Sequence, residues 1–277
     1  VERALALICG TGPLPARMAR QARADGWRVV AFTFAEAAGV GECADRVVPS
    51  RVTEIAPVLA AFQRERVSAA LFSGKFWMGD LVRADAAHAD AAAVSFEAQA
   101  RSRADSNLSR VVLSTLGALG IEVLDQRRFT GDWLAGSGPL TPRETTEDER
   151  RDVRIGLGVA SALADQGVGQ TVVIRHGVVT AVEAVEGTTA AIERGTALAG
   201  RGAAIVKAVA RDHDYRFDLP AVGPETVDAA VRGGAAVLAI QAGRVAVLDR
   251  GLTLASAAES GLSVVGVDEA WPGPPAD

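Results

Sequence analysis

Short apolar runs closed by glycine alternate with segments whose apolar positions recur at helical spacing, and this alternation governs the N-terminal half. Residues 4–9, Ala-Leu-Ala-Leu-Ile-Cys, are continuously apolar and end at Gly10-Thr11-Gly12, the pattern of a strand buried on both faces that enters a glycine turn. Pro13 and Pro15 then open a helix to about Ala24, because the first helical turn has no use for the N–H that proline lacks. Gly26 closes it, and residues 28–34 read as the next strand. Further helices are predicted at 53–65 and near 81–93 and 106–119, with strands at 69–73 and 121–124. Strands and helices in this order predict a doubly wound, Rossmann-like parallel sheet, whose ligands lie beyond the carboxyl ends of the strands. Gly10–Gly12 and Ser73–Lys75 then share one rim.

Periodicity fails from Phe129 to Arg143, where Gly131, Gly136, Gly138, Pro139 and Pro142 interrupt a polar stretch. Thr146 followed by Glu149 is a capping-box signature that opens a new helix to about Ala164. Beyond it, strands at 171–174 and 178–182 are joined through Arg175-His176-Gly177, a hairpin signal. Helices near 188–199, 225–232 and 253–260 alternate with strands near 203–209, 235–240, 244–248 and 263–267. A second hairpin is predicted at Ala242-Gly243. The expected fold class is α/β: a Rossmann-like parallel-sheet domain over residues 1–128, a linker over 129–145, and a C-terminal α/β domain with a mixed sheet over 146–277. Residues 272–277 read as a frayed tail.

Composition narrows the partners. The 277 residues are 49% hydrophobic and 23% charged, with a formal net charge of -5, which argues against a nucleic-acid surface and against membrane attraction by charge. Two cysteines, Cys9 and Cys43, offer neither a disulfide framework nor metal spacing. No apolar run is long enough to span a bilayer, so a cytoplasmic protein is expected.

Four stretches carry candidate chemistry. The turn Gly10-Thr11-Gly12-Pro13-Leu14-Pro15 suits a phosphate, since glycines permit close approach and the next helix aims its N-terminal amides there. Pro15 replaces the third glycine of the dinucleotide fingerprint, so ligand contact is expected here rather than a true nicotinamide site, with an ordinary strand-to-helix turn as the alternative. In Glu183-Ala-Val-Glu186-Gly187-Thr188-Thr189, Thr188 is either a helix N-cap or a phosphate ligand, and Glu183 or Glu186 could bind a metal or a water. Lys75-Phe76-Trp77-Met78 is either packing or an apolar cluster suited to an acylated ligand. The fourth stretch, Arg211 to Pro220, is the most densely charged. Were it extended, Asp212, Asp214, Arg216 and Asp218 would share one side, opposite His213, Tyr215 and Phe217. Such a face is either solvated or holds a cation and an anionic substrate. Asp105 reads as a helix-dipole partner, and His88, His176 and His213 lack any triad context.

The glycine turn with Pro15, Gly169-Gln170, Ala181 to Thr188, and Arg216-Phe217-Asp218-Leu219-Pro220 with Gly223 together resemble the UDP-2,3-diacylglucosamine pyrophosphatase family of lipid A biosynthesis, the LpxI type. The resemblance covers nearly the whole chain. It implies two tethered domains with the substrate between them, hydrolysis of the substrate pyrophosphate to UMP and 2,3-diacylglucosamine 1-phosphate, and dependence on Mg2+ or another divalent metal. Asp218 corresponds to the family's essential acid and is expected to bind the metal or orient water, assisted by Glu186 and Glu183. Arg216 and Lys207 are expected to neutralise phosphate. Thr188, Gly187, Gln170, Lys75 and the Gly10, Thr11 and Gly12 amides are expected to hold the substrate, with acyl chains in an apolar cleft reaching Trp77 or Trp133. Peripheral contact with the inner face of the inner membrane and a homodimer complete the expected partners.

Departures from the family pattern stand at Thr189 and Ser106, where aspartates are usual, at Arg211-Asp212, where Lys-Pro is common, and at Phe76 to Gly79, which lacks Arg-Pro. Asp212 and Asp214 are candidate substitutes for lost ligands. The rival expectations are a binding protein that keeps the two-domain clamp without catalysis and, disfavoured by Pro15, a Rossmann oxidoreductase.

Overall fold

The computed structural model describes residues 3–76, 89–100, 105–268 and 271, without the side chains of Glu97, Ala100 and residues 105–107. Most of the helix expected near 81–93, together with Trp77, Met78, His88, the side chains of Asp105 and Ser106, and the tail 272–277, lies outside the described residues. The chain divides into two compact units, Val1–Thr130 with Asp214–Leu219, and Gly131–His213 with Pro220–Asp277.

The first unit runs β1 (Arg3–Cys9), α1 (Leu14–Ala24), β2 (Trp27–Thr33), α2 (Val40–Cys43), β3 (Arg46–Pro49), α3 (Ile55–Arg64), β4 (Val67–Ser73), α4 (Ala91–Ala100), α5 (Asp105–Ala118) and β5 (Glu122–Val123). Its five strands are parallel in the order β3-β2-β1-β4-β5. The order reverses between β1 and β4, so the loops leaving these two strands flank the switch point where such sheets bind ligands. Helices cover both faces, which is why β1 is an unbroken apolar run. Ala6, Ile8, Val30 and Phe32 pack with Val58 and Phe62 of α3, and the Phe32 and Phe62 rings meet edge-on at 4.7 Å. The edge strand β3 escapes sequence reading because it has only four residues and ends in proline.

The second unit runs β6 (Gly138–Pro139), α6 (Glu147–Asp165), β7 (Thr171–Arg175), β8 (Val178–Val182), α7 (Thr188–Ala199), β9 (Ala204–Lys207), β10 (Ala221–Val222), α8 (Pro224–Arg232), β11 (Val237–Gln241), β12 (Ala246–Val247), α9 (Arg250–Glu259) and β13 (Ser263–Val267). Six strands form a mixed sheet in the order β6-β13-β11-β9-β7-β8, and β10 pairs with β12 separately. The α/β class, with a parallel N-terminal and a mixed C-terminal sheet, is the one expected. Thr146 caps α6 as its capping box requires, its hydroxyl accepting the Glu149 N–H and its own N–H donated to the Glu149 carboxylate. Helices approach this sheet closely through glycine: a Cβ on Gly156 of α6 would meet Val206 Cγ2 at 2.7 Å, and one on Gly195 of α7 would meet the Val173 Cβ at 2.5 Å.

Three expectations fail. The hairpin at Ala242-Gly243 does not form, since β11 pairs in parallel with β9 and β13 while β12 pairs with β10. Two apolar runs about a glycine turn look alike whether the turn folds them together or carries the chain to another sheet. Within the stretch expected to be irregular, Gly138 and Pro139 form β6, paired with Gly266 and Val265 of β13. Residues 211–220 form turns rather than an extended strand, because the Asp214 carboxylate accepts the Arg216 backbone N–H at 3.0 Å and bends the chain there. The shared face of Asp212, Asp214, Arg216 and Asp218 therefore does not exist.

Candidate functional site

In the second unit, three neighbouring strands place a cation, a hydroxyl and a carboxylate in one row. Lys207 ends β9, Thr171 begins β7 directly opposite it, and Glu183 follows β8, its N–H donated to the Thr171 carbonyl at 2.8 Å. Gly187, with φ of 85°, turns the chain into α7 and brings Thr188 over this row. Lys207 Nζ donates to Thr188 Oγ1 at 3.0 Å and to Thr171 Oγ1 at 3.5 Å. It lies 3.9 Å from Glu183 Oε2. The Thr188 hydroxyl in turn donates to Glu183 Oε1 at 2.7 Å, and the Gln170 N–H reaches Glu183 Oε2 at 3.3 Å. Lys207 and Thr171 are buried, at 5% and 1% exposure.

Burial alone would push the Glu183 carboxyl up. The Lys207 charge, the hydroxyls of Thr171 and Thr188 and the Gln170 N–H outweigh it, holding the group below its ordinary range. Gly169 is glycine for a local reason: a Cβ there would sit 2.1 Å from the Glu183 carbonyl oxygen. Gly187 is the N-cap of α7, and it leaves that helix without a side-chain cap. The capping role considered for Thr188 thus gives way to its bonds with Lys207 and Glu183.

Glu186 turns elsewhere. Its Oε1 accepts Arg194 Nη2 at 2.6 Å and its Oε2 accepts the Ala184 N–H at 3.1 Å. Its own backbone N–H first, then the Arg194 guanidinium and the Ala184 N–H, hold its carboxyl below the ordinary range. Among the described residues, no three His, Cys, Asp or Glu side chains gather to hold a metal ion. Glu183 and Glu186, each already paired with a cation, do not fit a divalent ion as a pair of open ligands.

In the first unit, the loops after β1 and β4 are stitched together at the switch point. Gly10 N–H donates to the Ser73 carbonyl at 2.9 Å, and Thr11 and Lys75 exchange backbone bonds at 2.8 and 2.9 Å. A Cβ on Gly10 would lie 2.4 Å from the Lys75 oxygen. These contacts, rather than a ligand, account for Gly10, and they correct the expectation that the Gly10 and Thr11 amides cradle phosphate. Thr11 Oγ1 also donates to the Lys75 carbonyl, at 3.2 Å. Lys75 itself is exposed.

The segment Asp214–Leu219 belongs to this first unit. Tyr215 and Leu219 are buried, the Tyr215 carbonyl accepts the Gln126 N–H at 3.0 Å, and Arg127 lies 4.1 Å over the Tyr215 ring. The Phe217 ring packs 5.1 Å from Phe72 near the carboxyl end of β4. With its apolar residues pinned, the segment leaves Asp218 exposed. Arg216 and Asp214 pair with each other through two bonds of 2.8 and 2.7 Å, so Arg216 is not a free phosphate ligand. Asp212 is exposed.

Of the expected residues, Lys207, Thr188, Glu183, Gln170 and Gly187 meet in one cluster of the second unit, while Glu186 pairs with Arg194 beside it. Asp218, Arg216, Lys75 and Gly10 to Gly12 lie in the first unit. Thr171 was missed: its only sequence signal is its place at the head of a strand, and its partner across the ladder stands far along the chain at Lys207.

Residues 4–133 match the LpxI N-terminal domain and residues 136–265 the LpxI C-terminal domain. The UDP-2,3-diacylglucosamine pyrophosphatase LpxI of Caulobacter vibrioides is 30% identical over 278 residues, a span covering 96% of this chain and 98% of the relative.

Proposed function

The chain belongs to the LpxI family, and from that premise we propose that it hydrolyses the pyrophosphate of UDP-2,3-diacylglucosamine to UMP and 2,3-diacylglucosamine 1-phosphate in lipid A biosynthesis. The observation that carries this reading is the end-to-end match to a named pyrophosphatase. The chemistry must neutralise phosphoryl oxygens and orient a water. Lys207, held by Thr171, Thr188 and Glu183, supplies a fixed positive charge. The first-turn amides of α7, which no side chain caps, offer donors to an anion.

Asp218, exposed on a segment that Tyr215 and Leu219 anchor, is the carboxylate proposed to orient the water. Magnesium dependence is proposed from the family resemblance alone, and Asp218 is the remaining candidate ligand once Glu183 and Glu186 are set aside. Peripheral contact with the cytoplasmic membrane face is proposed from the acylated substrate; no described helix is long and apolar enough to cross a membrane.

A second reading, substrate binding without turnover, draws on the saturated Glu183 and on Thr189 in place of the family's aspartate. One assay separates the two. Release of UMP from UDP-2,3-diacylglucosamine is measured with and without magnesium, for the parent and for Asp218→Ala. The hydrolase reading expects parental turnover that the substitution reduces by about a hundredfold or more. Binding of the lipid nucleotide without UMP release under any divalent metal would establish the second reading instead.

A further inference from the structure

The chain has only two lysines, Lys75 and Lys207, among its 29 basic residues. One is exposed; the other is 5% exposed and ends a strand of the mixed sheet. A chain that uses arginine almost everywhere places its second lysine where a compact ammonium fits between hydroxyls and a planar guanidinium would not. Lysine ends a flexible four-carbon stem, so its direction depends on what surrounds the ammonium. Thr188 lies on one side, at 3.0 Å. Thr171 lies on the other, at 3.5 Å, locked in the strand directly across the ladder.

We propose that Thr171 is a positioning residue for the reaction: its hydroxyl, accepting from Lys207 at 3.5 Å, holds the ammonium against Thr188 in the orientation the phosphoryl transfer uses. The inference rests on the pyrophosphatase reading. Thr188 stands on the first turn of α7, which its glycine N-cap leaves without a side-chain cap. Thr171 is held inside the sheet instead: its carbonyl is bound by the Glu183 N–H at 2.8 Å and its side chain is buried. The strand-held hydroxyl is therefore the fixed point against which the ammonium is oriented. Thr171 touches no substrate in this scheme and acts only through Lys207 and Glu183.

Two readouts test it. In the parent protein, the Lys207 ammonium should give a slowly exchanging resonance in nitrogen-15 correlation spectra, distinct from that of exposed Lys75; in Thr171→Val that resonance should be lost to exchange while the backbone spectrum is retained. In UMP-release assays below the unfolding midpoint, Thr171→Val should lower kcat by about tenfold with KM within about twofold, and Thr171→Ser should restore it. A Thr171→Val protein with parental kcat and a protected Lys207 resonance would overturn the proposal, because a merely structural threonine changes only the midpoint. If the valine variant does not fold, Thr171→Cys and Thr171→Ser decide: cysteine donates weakly, so equal kcat and equal protection in both would overturn it. A parent that releases no UMP sinks the pyrophosphatase reading, and the ammonium resonance still judges Thr171.

Discussion

Each unit has a strand that enters a glycine turn and then a helix, and the two junctions use their polar groups in opposite ways. After β1, the Gly10 and Thr11 amides and the Thr11 hydroxyl are all spent on the backbone of Ser73 and Lys75. After β8, Gly187 leaves α7 without a side-chain cap, and Thr188, Glu183 and Lys207 converge instead. A glycine turn before a helix is thus no sign of a ligand until its donors are counted. The first junction fastens two loops of a parallel sheet; the second assembles charge.

The contrast is sharpest for substitutions. Lys207→Met should have the largest effect on stability, about 3 kcal/mol or more by urea unfolding, because it leaves the Glu183 carboxylate, only 12% exposed, without its cation. Gly10→Ala should cost about 1–3 kcal/mol, since its Cβ would meet backbone at 2.4 Å, and it should leave UMP affinity per folded molecule unchanged. If it abolished UMP binding without loss of stability, the first junction would be a ligand site after all.

The acid limb of stability distinguishes the junctions further. Because the folded protein holds Glu183 below its ordinary value of 4.5, the carboxylate adds stability that is complete above that value and is lost as pH falls through the lower folded one. Glu183→Gln should therefore flatten the acid limb of an unfolding series measured from neutral pH downward. A limb unchanged in shape would show that Glu183 titrates normally. Smallest is Thr11→Val, expected to alter stability by less than about 1 kcal/mol and turnover by less than about twofold. The equivalent change at Thr188 should lower turnover about tenfold.

What the sequence shows and hides follows the same division. The alternation of strands and helices, the capped α6 and the β7–β8 hairpin are legible because each depends on neighbours in sequence: Thr146 with Glu149, or Gly177 between two apolar runs. Lys207, Thr188 and Glu183 are legible one by one as residue types suited to phosphate chemistry. Their union is not, because Thr171 faces Lys207 across a ladder set by sheet order rather than by spacing. Asp214 misled the extended reading of 211–220 through a short side chain that captures the N–H two residues on. That bond reassigns Arg216 from phosphate to Asp214. The chain after Asp214 also joins the unit of the first sheet, a long-range placement that no local pattern encodes.

The most direct measurement is UMP release by the double variant Lys207→Met/Glu183→Gln, which removes the buried positive charge without stranding the carboxylate. A fall in kcat of about a hundredfold or more in a folded protein is the expected result if the Lys207 cluster serves the chemistry. Turnover within about threefold of the parent would contradict it and reduce the cluster to a structural ion pair.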